Sequence, residues 1–368
     1  SDKFMMLENI MVKILYGGCD LMKLYEFELQ KAADKLVNEI LKVKEGETVL
    51  ITADTSSNET VVNTTASSIY SVKGKPMVIW TATPDGVGKA ADPKLPVEAL
   101  GAALSKADVW IEYNEKWLLY STPFEVAFKN NKKLRYINLV GMNPDIMIRN
   151  IGKVNIRVLA KFLRKVAEMN RSAAAMTAET PLGTHLEFQL DPTHVVACDA
   201  GEAYEPGMFM MPGQINVIPR FGTINGVLVF DGSLVPPCGL LKEPIRMKIE
   251  NSTIVKIEGG HQADEFKEWL KSLKDPSMYK LAHIAYGFGP GAMLTGNIVE
   301  DERVWGAVEW GIGYVSKSEA PPFGQNAVSH CDGICLNSSI WVDNVKIMDN
   351  GRIIHPDLVK YVDEIFKK

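Results

Sequence analysis

Apolar and polar positions along the first half of the chain follow two periods in turn. From Glu26 to Val43, Leu29, Ala33, Leu36, Val37, Ile40 and Leu41 share one helical stripe. After Lys44–Glu47, the run ThrValLeuIleThrAla at 48–53 has the length and composition of a buried strand. The same reading predicts helices over 58–72, 96–106 and about 115–130, and strands over 76–81, 108–112 and 134–140. Strands that are apolar throughout and alternate with amphipathic helices imply a parallel sheet covered on both faces. Residues 1–153 are therefore expected to form an α/β domain, Rossmann-like or flavodoxin-like. The segment 154–173, with Val158, Leu159, Phe162, Leu163 and Val166 on one face, reads as a bridging helix. Beyond it, strand-type runs at 184–190, 214–219, 226–230, 245–249 and 253–257 are separated by Gly, Pro, Asn and Asp, and one helix is expected at 262–273. That texture predicts a mostly antiparallel α+β catalytic domain over 154–368.

AlaAspThrSerSerAsn at 53–58 follows the first strand, where a dinucleotide loop would lie. The GxGxxG glycines that let a backbone approach a pyrophosphate are missing, so Asp54 and Ser57 read as turn or cap residues. Hydrophobic residues make up 46% and charged residues 23% of the 368 positions, as in an ordinary soluble globular protein. The net charge of −5 and the scattered basic residues argue against nucleic acid or an anionic membrane as partner and leave a small-molecule substrate. Five cysteines without a CxxC pair indicate reduced thiols and a cytoplasmic setting. The apolar start from Phe4 to Tyr16 is broken by Glu8, Asn9 and Lys13 and lacks a basic leader, so neither a signal peptide nor a membrane span is expected. Residues 5–7 and 10–12 of that stretch could pack on a neighbouring subunit or on their own domain.

Candidate chemistry gathers in the second half. His330-Cys331-Asp332 places an imidazole and a carboxylate two residues apart on an extended segment, hence on one side, where they can grip one ion. The ordinary alternative is a core histidine hydrogen-bonded to a nearby aspartate. His283, in LAHIAYGFGPGA, and Glu309, in GAVEWGIG, lie on similar strand-and-glycine segments, and an ionised Glu309 in that apolar stretch needs a cation or a donor. Glu309 could also salt-bridge Arg303 or Lys317. Together, His283, Glu309, His330 and Asp332 form a candidate set for one divalent ion.

Several stretches resemble the aminopeptidase T family of metallopeptidases and, more closely, its mononuclear-iron relatives, the 2,5-dihydroxypyridine 5,6-dioxygenases. They are GTHLEF at 183–188, MMPGQINVIP at 210–219, LAHIAYG at 281–287, DERVWGAVEWGIG at 301–313 and SHCDGI at 329–334. The resemblance covers roughly residues 155–368. It implies a homo-oligomer and a metal-dependent enzyme. Against the peptidases, this chain has Gln214 and His283 where two glutamates help hold a second metal, and Glu309 where they have a histidine. Glutamine is a poor ligand for such ions, so one ion and no peptidase activity are expected.

The second carboxylate, Glu309, lowers the charge of the site and fills a coordination position that oxygen would need, which suits Mn, Zn or Fe acting as a Lewis acid. The leading expectation is accordingly a metal-dependent hydrolase opening the ring of a small oxygenated substrate, such as a cyclic diketone or a hydroxylated heterocycle. Glu309, if not a ligand, would be the general base, with Glu302 in reserve. Arg303 and Tyr314 would hold an oxyanion, and Gln214 and Tyr286 would orient the substrate. Two alternatives stand beside it: an Fe(II)-dependent ring-cleaving dioxygenase acting on a hydroxylated pyridine or phenol, and a metal-free binding protein or pseudoenzyme.

Overall fold

The computed structural model describes residues 26–367. The apolar residues 5–12 invoked for subunit packing lie outside the described residues. The chain divides into two compact units, one running through Lys153 and including Ala203–Phe209, the other formed by Val154–Glu202 and the chain from Met210 onward.

In the first unit, β1 (Thr48–Asp54), β2 (Lys75–Thr81), β3 (Val109–Glu112) and β4 (Arg135–Asn138) pair in parallel in the order β2-β1-β3-β4. Helices at Glu26–Lys35, Glu59–Ser71, Val97–Leu104 and Thr122–Asn130 alternate with them, as the apolar stripes require. Trp110 and Tyr136 on adjacent strands lie 4.3 Å apart and pack with Phe124, Leu50 and Leu104 in a core of this unit.

The helix expected from about 115 begins only at Thr122. Ser121 caps it by accepting from Phe124 N, and Pro123 sits in its first turn. Residues 115–116 are committed elsewhere, because Glu115 N and Lys116 N both donate to Asp54 Oδ2. Asp54 Oδ1 accepts from Ser56 N and Thr83 Oγ1, so this carboxylate is used up in tying three loops together. A fifth strand, Gly207–Met210, joins the β4 edge although its sequence neighbours belong to the second unit. Such a return rests on long-range pairing, Gly207 N to Leu134 O and Ala203 N to Ile40 O, and has no local signature.

The second unit opens with the helix Ile156–Arg171, which buries Leu159, Phe162, Leu163 and Val166. Two antiparallel sheets follow. The eight-stranded sheet includes Ala175–Glu179, His185–Gln189, Asn225–Phe230, Ile245–Glu250, Thr253–Glu258 and Ser339–Val342. The seven-stranded sheet has at its centre Leu281–Gly287, Val308–Val315 and Gln325–Cys335, flanked by Gln214–Val217 and Val196–Asp199 on one side and Ser233–Val235 on the other. The sheets pack through their apolar faces: Phe188 meets Trp310 edge-on at 5.4 Å, and Cys335 Sγ donates to Val229 O at 3.2 Å. The expected fold classes, a parallel α/β sheet followed by antiparallel sheets, therefore hold. Among the described residues, no helix is long and apolar enough to cross a membrane.

Candidate metal centre

Alternation along the three central strands of the seven-stranded sheet sorts their side chains. Ile284, Trp310, Ile312, Cys331 and Cys335 are fully buried, and Trp310 and Cys335 meet the other sheet. His283, Glu309, His330 and Asp332 take the opposite face. The register sets His283 opposite Gly311 and Gly311 opposite Asp332, so one row runs imidazole, bare backbone, carboxylate across three strands. Two local devices bring these groups into contact. The pairing of Leu281–Gly287 with its neighbour slips between Leu281 and His283, a bulge of the kind that re-aims a side chain. Gly311 then leaves the space into which the imidazole leans, since a Cβ there would lie 2.4 Å from His283 Cε1 and 2.7 Å from Nε2.

His283, His330 and Asp332 each present a ligand atom, all within 4.8 Å of one another, as a divalent ion requires. The Nε2 atoms of His330 and His283 lie 2.9 and 3.7 Å from Asp332 Oδ1, and the two rings stack at 5.1 Å. His330 Nδ1 is 2.9 Å from the Tyr314 carbonyl, which can only accept. The carbonyl holds a proton on Nδ1, so Nε2, which meets Asp332 here, is the nitrogen that would turn a lone pair to an ion taking the place of that contact, the outer-layer support that histidine ligands commonly have. Exposure rises from 0% for the Glu309 side chain through 14% for His283 and Asp332 to 28% for His330, so the cluster opens on the His330 side.

Glu309 lies beneath this group. Its Oε2 is 3.1 Å from His283 Nε2, and its carboxyl hydrogen-bonds Asp332. Oε1, 2.9 Å from the same nitrogen but not aligned for a hydrogen bond, is buried without a hydrogen-bond partner. Burial, then the charges of Asp332 and Glu302, raise the Glu309 carboxyl well above the usual carboxylate range. Burial also works against an ionised Asp332, but His330 and His283 outweigh it and hold that carboxyl below its ordinary value. For His330, burial favours the neutral ring, and the adjoining Asp332 more than reverses this. The orphaned Oε1 and the convergent nitrogen, nitrogen and oxygen donors fit a divalent transition ion.

The remaining expected site residues fall into three places. Gln214 is buried on the His283 face, where its amide donates to Glu309 Oε2 at 3.5 Å and hydrogen-bonds Glu302. Glu302 joins the same edge of the cluster; burial raises its pKa, Arg303 lowers it, and Asp332 raises it again. Arg303 is not placed to hold an oxyanion. It is fully buried, and its guanidinium donates to Met211 O at 2.6 Å, Val299 O at 2.7 Å and Asp199 Oδ2 at 3.3 Å, and also to Glu302. Asp199, pushed up to about 6 by burial with Arg303 opposing, completes that ion pair. Tyr286 points into the packed interior, where its hydroxyl donates to Asn170 Oδ1 at 2.9 Å, so it cannot orient a substrate. Tyr314 serves this site through its carbonyl. Two contributors went unread: Gly311, whose signal was the repeated glycine in GluTrpGlyIleGly, and the Tyr314 carbonyl, which leaves no mark in a sequence.

The family model for 2,5-dihydroxypyridine 5,6-dioxygenase matches residues 31–355. A 2,5-dihydroxypyridine 5,6-dioxygenase from Pseudomonas putida KT2440 is 24% identical over 270 residues, covering 69% of this chain and 73% of that protein. The solved structure of 2,5-dihydroxypyridine dioxygenase from the same organism aligns with a TM-score of 0.75 at 19% identity, over 90% of this chain and 99% of the other. Wild-type AmpT from Thermus thermophilus aligns with a TM-score of 0.66 at 15% identity, over 90% and 100%. The family match overturns the expectation of a metal-dependent hydrolase. That expectation rested on Glu309 as a second anionic ligand. In the structure burial and the charges of Asp332 and Glu302 push the Glu309 carboxyl well above the usual carboxylate range, whereas the two imidazoles, against burial, hold Asp332 below it, so Asp332 is the better anionic donor of the two.

Proposed function

The chain belongs to the 2,5-dihydroxypyridine 5,6-dioxygenase family, and we propose that it opens a hydroxylated pyridine ring with dioxygen at one divalent iron. The observation that carries this reading is the cluster of His283, His330 and Asp332 on one face of three adjoining strands. Two imidazoles and one carboxylate leave open positions for substrate and oxygen, the donor set of non-haem Fe(II) oxygenases. Divalent iron, when bound, supplies the one-electron chemistry through which ground-state dioxygen can react with an organic ring.

The protein's own groups divide the remaining work. Tyr314 O fixes the His330 tautomer, and the clearance at Gly311 lets His283 reach the cluster. Glu302, whose carboxyl burial raises against the opposing Arg303, would take the proton that a ring hydroxyl gives up. Glu309, whose carboxyl burial and the charges of Asp332 and Glu302 raise, would be the group at the buried end of the cluster to give a proton to the opened product. Arg303 and Gln214 keep both acids in place.

Oxygen uptake with 2,5-dihydroxypyridine tests the reading. Protein loaded with Fe(II) should consume oxygen and bleach the ring absorbance, whereas argon, or Zn(II) in place of Fe(II), should abolish both. Ring opening under argon would sink it. Protein that binds no ion in stoichiometric amount, with no loss in His330→Ala, would favour a metal-free binding protein.

A further inference from the structure

We infer that Gln325 is a positioning residue for both histidines of the metal-binding cluster, because its side-chain amide holds the two register slips from which His283 and His330 are aimed. The inference rests on the part of the ring-cleavage reading that puts an ion at this cluster. Both slips lie beside the strand Val308–Val315. Toward Leu281–Gly287, Leu281 pairs with Ile312 and His283 with Gly311, so Ala282 is an extra residue immediately before His283. Toward Gln325–Cys335, Gly313 pairs with His330 and Val315 with Gln325, so Tyr314 alone faces residues 326–329. A ladder interrupted in this way leaves backbone carbonyls that need other donors. Gln325, only 8% exposed, supplies them. Its Nε2 donates to Gly313 O at 2.6 Å and to Leu281 O at 3.3 Å, one N–H for each. One amide thus ties the three central strands together where both slips occur.

Each of the two carbonyls leads to one histidine. Leu281 stands two residues before His283, on the other side of its slip. Gly313 precedes Tyr314, whose carbonyl lies 2.9 Å from His330 Nδ1. Gly313 has a φ of +98°, a conformation that glycine reaches freely and does not restrain by itself. It is restrained from outside: its N–H donates to Lys280 O at 2.8 Å, and its carbonyl accepts from Gln325. With both polar atoms of Gly313 held, the next carbonyl along the chain, Tyr314 O, stays turned toward His330. Loss of the amide would leave two buried carbonyls seeking donors and free the Gly313–Tyr314 backbone to turn. The segment leading to His330 keeps a second anchor, since Asp275 Oδ2 accepts from Val328 N at 2.9 Å, so the strand should persist while its ligands lose their aim.

The test titrates the full chain with Co(II) under argon, where the visible bands of the ion report its donors and no turnover intervenes. Gln325→Met keeps the length of the side chain and removes both donors. It should weaken Co(II) about tenfold, the lower end of what loss of a ligand's support costs, and change the bands. In ¹⁵N-histidine spectra of the metal-free protein, the Nδ1–H of His330, identified by its absence in His330→Ala, should exchange faster with water in the variant. Gln325→Glu keeps the shape and replaces the donor by an acceptor. It should weaken Co(II) at least as much, which guards against a methionine variant that fails to fold. Co(II) affinity within about twofold of wild type in a folded variant, or unchanged His330 exchange, would overturn the inference whatever the change in stability. The ion at the cluster would then still stand on binding by the wild type. A wild type that binds no Co(II) would remove the metal centre, and this inference with it.

Discussion

Replacing Gly311 with alanine tests whether the bare position between His283 and Asp332 is what permits the cluster to form. The added Cβ would lie 2.4 Å from His283 Cε1, 2.6 Å from Nδ1 and 2.7 Å from Nε2. Ordinary contact begins near 3.4 Å, so the ring has to withdraw by about 1 Å. A histidine ligand to a divalent ion tolerates about 0.2 Å, so such a shift removes one of three donors. Disturbing even the support of a ligand typically costs 10–100-fold in metal affinity, and the loss here should be at least about 100-fold. The packing penalty should be about 1–3 kcal/mol, because the ring sits toward the open side and can move. Metal content after anaerobic equilibration with Fe(II), measured beside chemical denaturation, separates the two effects. Gly226→Ala is the control. Its Cβ would meet the His185 carbonyl oxygen at 2.0 Å on the other sheet, so it should destabilise the fold and leave metal affinity intact. Wild-type metal affinity in Gly311→Ala would refute the reasoning.

Other consequences follow from buried charge. Glu112 is buried in the first unit, accepting from Leu118 N and the Tyr136 hydroxyl, and burial raises its pKa from 4.5 to about 7 against those two hydrogen bonds. Between these values the folded state binds the extra proton, so the stabilising contribution is complete below pH 4.5 and is lost as pH rises through 7. At 1.36 kcal/mol per unit this amounts to about 3 kcal/mol. Denaturant titrations at pH 5 and 8 should show that fall in the wild type and a much smaller one in Glu112→Gln; parallel curves would contradict it. Arg303→Met leaves Asp199 and Glu302 buried beside each other without their cation, and should cost about 3–5 kcal/mol in the same assay. A loss below about 1 kcal/mol would mean that water already reaches those carboxylates.

Both layers of the fold were legible where local periodicity decides the structure. The apolar runs at 48–53 and 134–140 and the stripe at 154–173 became β1, β4 and the helix Ile156–Arg171, because burial on two faces or on one leaves its mark in every turn. The return of Gly207–Met210 to the parallel sheet was not legible, since its partners are distant in sequence and its own residues carry no alternation. In the candidate site, His330 and Asp332 share a face by simple alternation. The position of His283 depends instead on a register slip and on a glycine one strand away. The second carboxylate misled the functional expectation for a physical reason: composition shows that Glu309 can carry a charge, and only the structure shows how strongly burial beside Asp332 and Glu302 disfavours that charge. Arg303 and Tyr286 look like site residues by type, but they are spent on Asp199 and Asn170.

The claim that dioxygen is cleaved at the His283, His330 and Asp332 cluster is tested most directly by isotopic labelling. Protein loaded with Fe(II) would be given 2,5-dihydroxypyridine under ¹⁸O₂ in unlabelled water, and the opened product analysed at once by mass spectrometry. The account predicts that both atoms of one oxygen molecule enter the product, and that Asp332→Asn yields none. Product formed with oxygen drawn from water alone would contradict it.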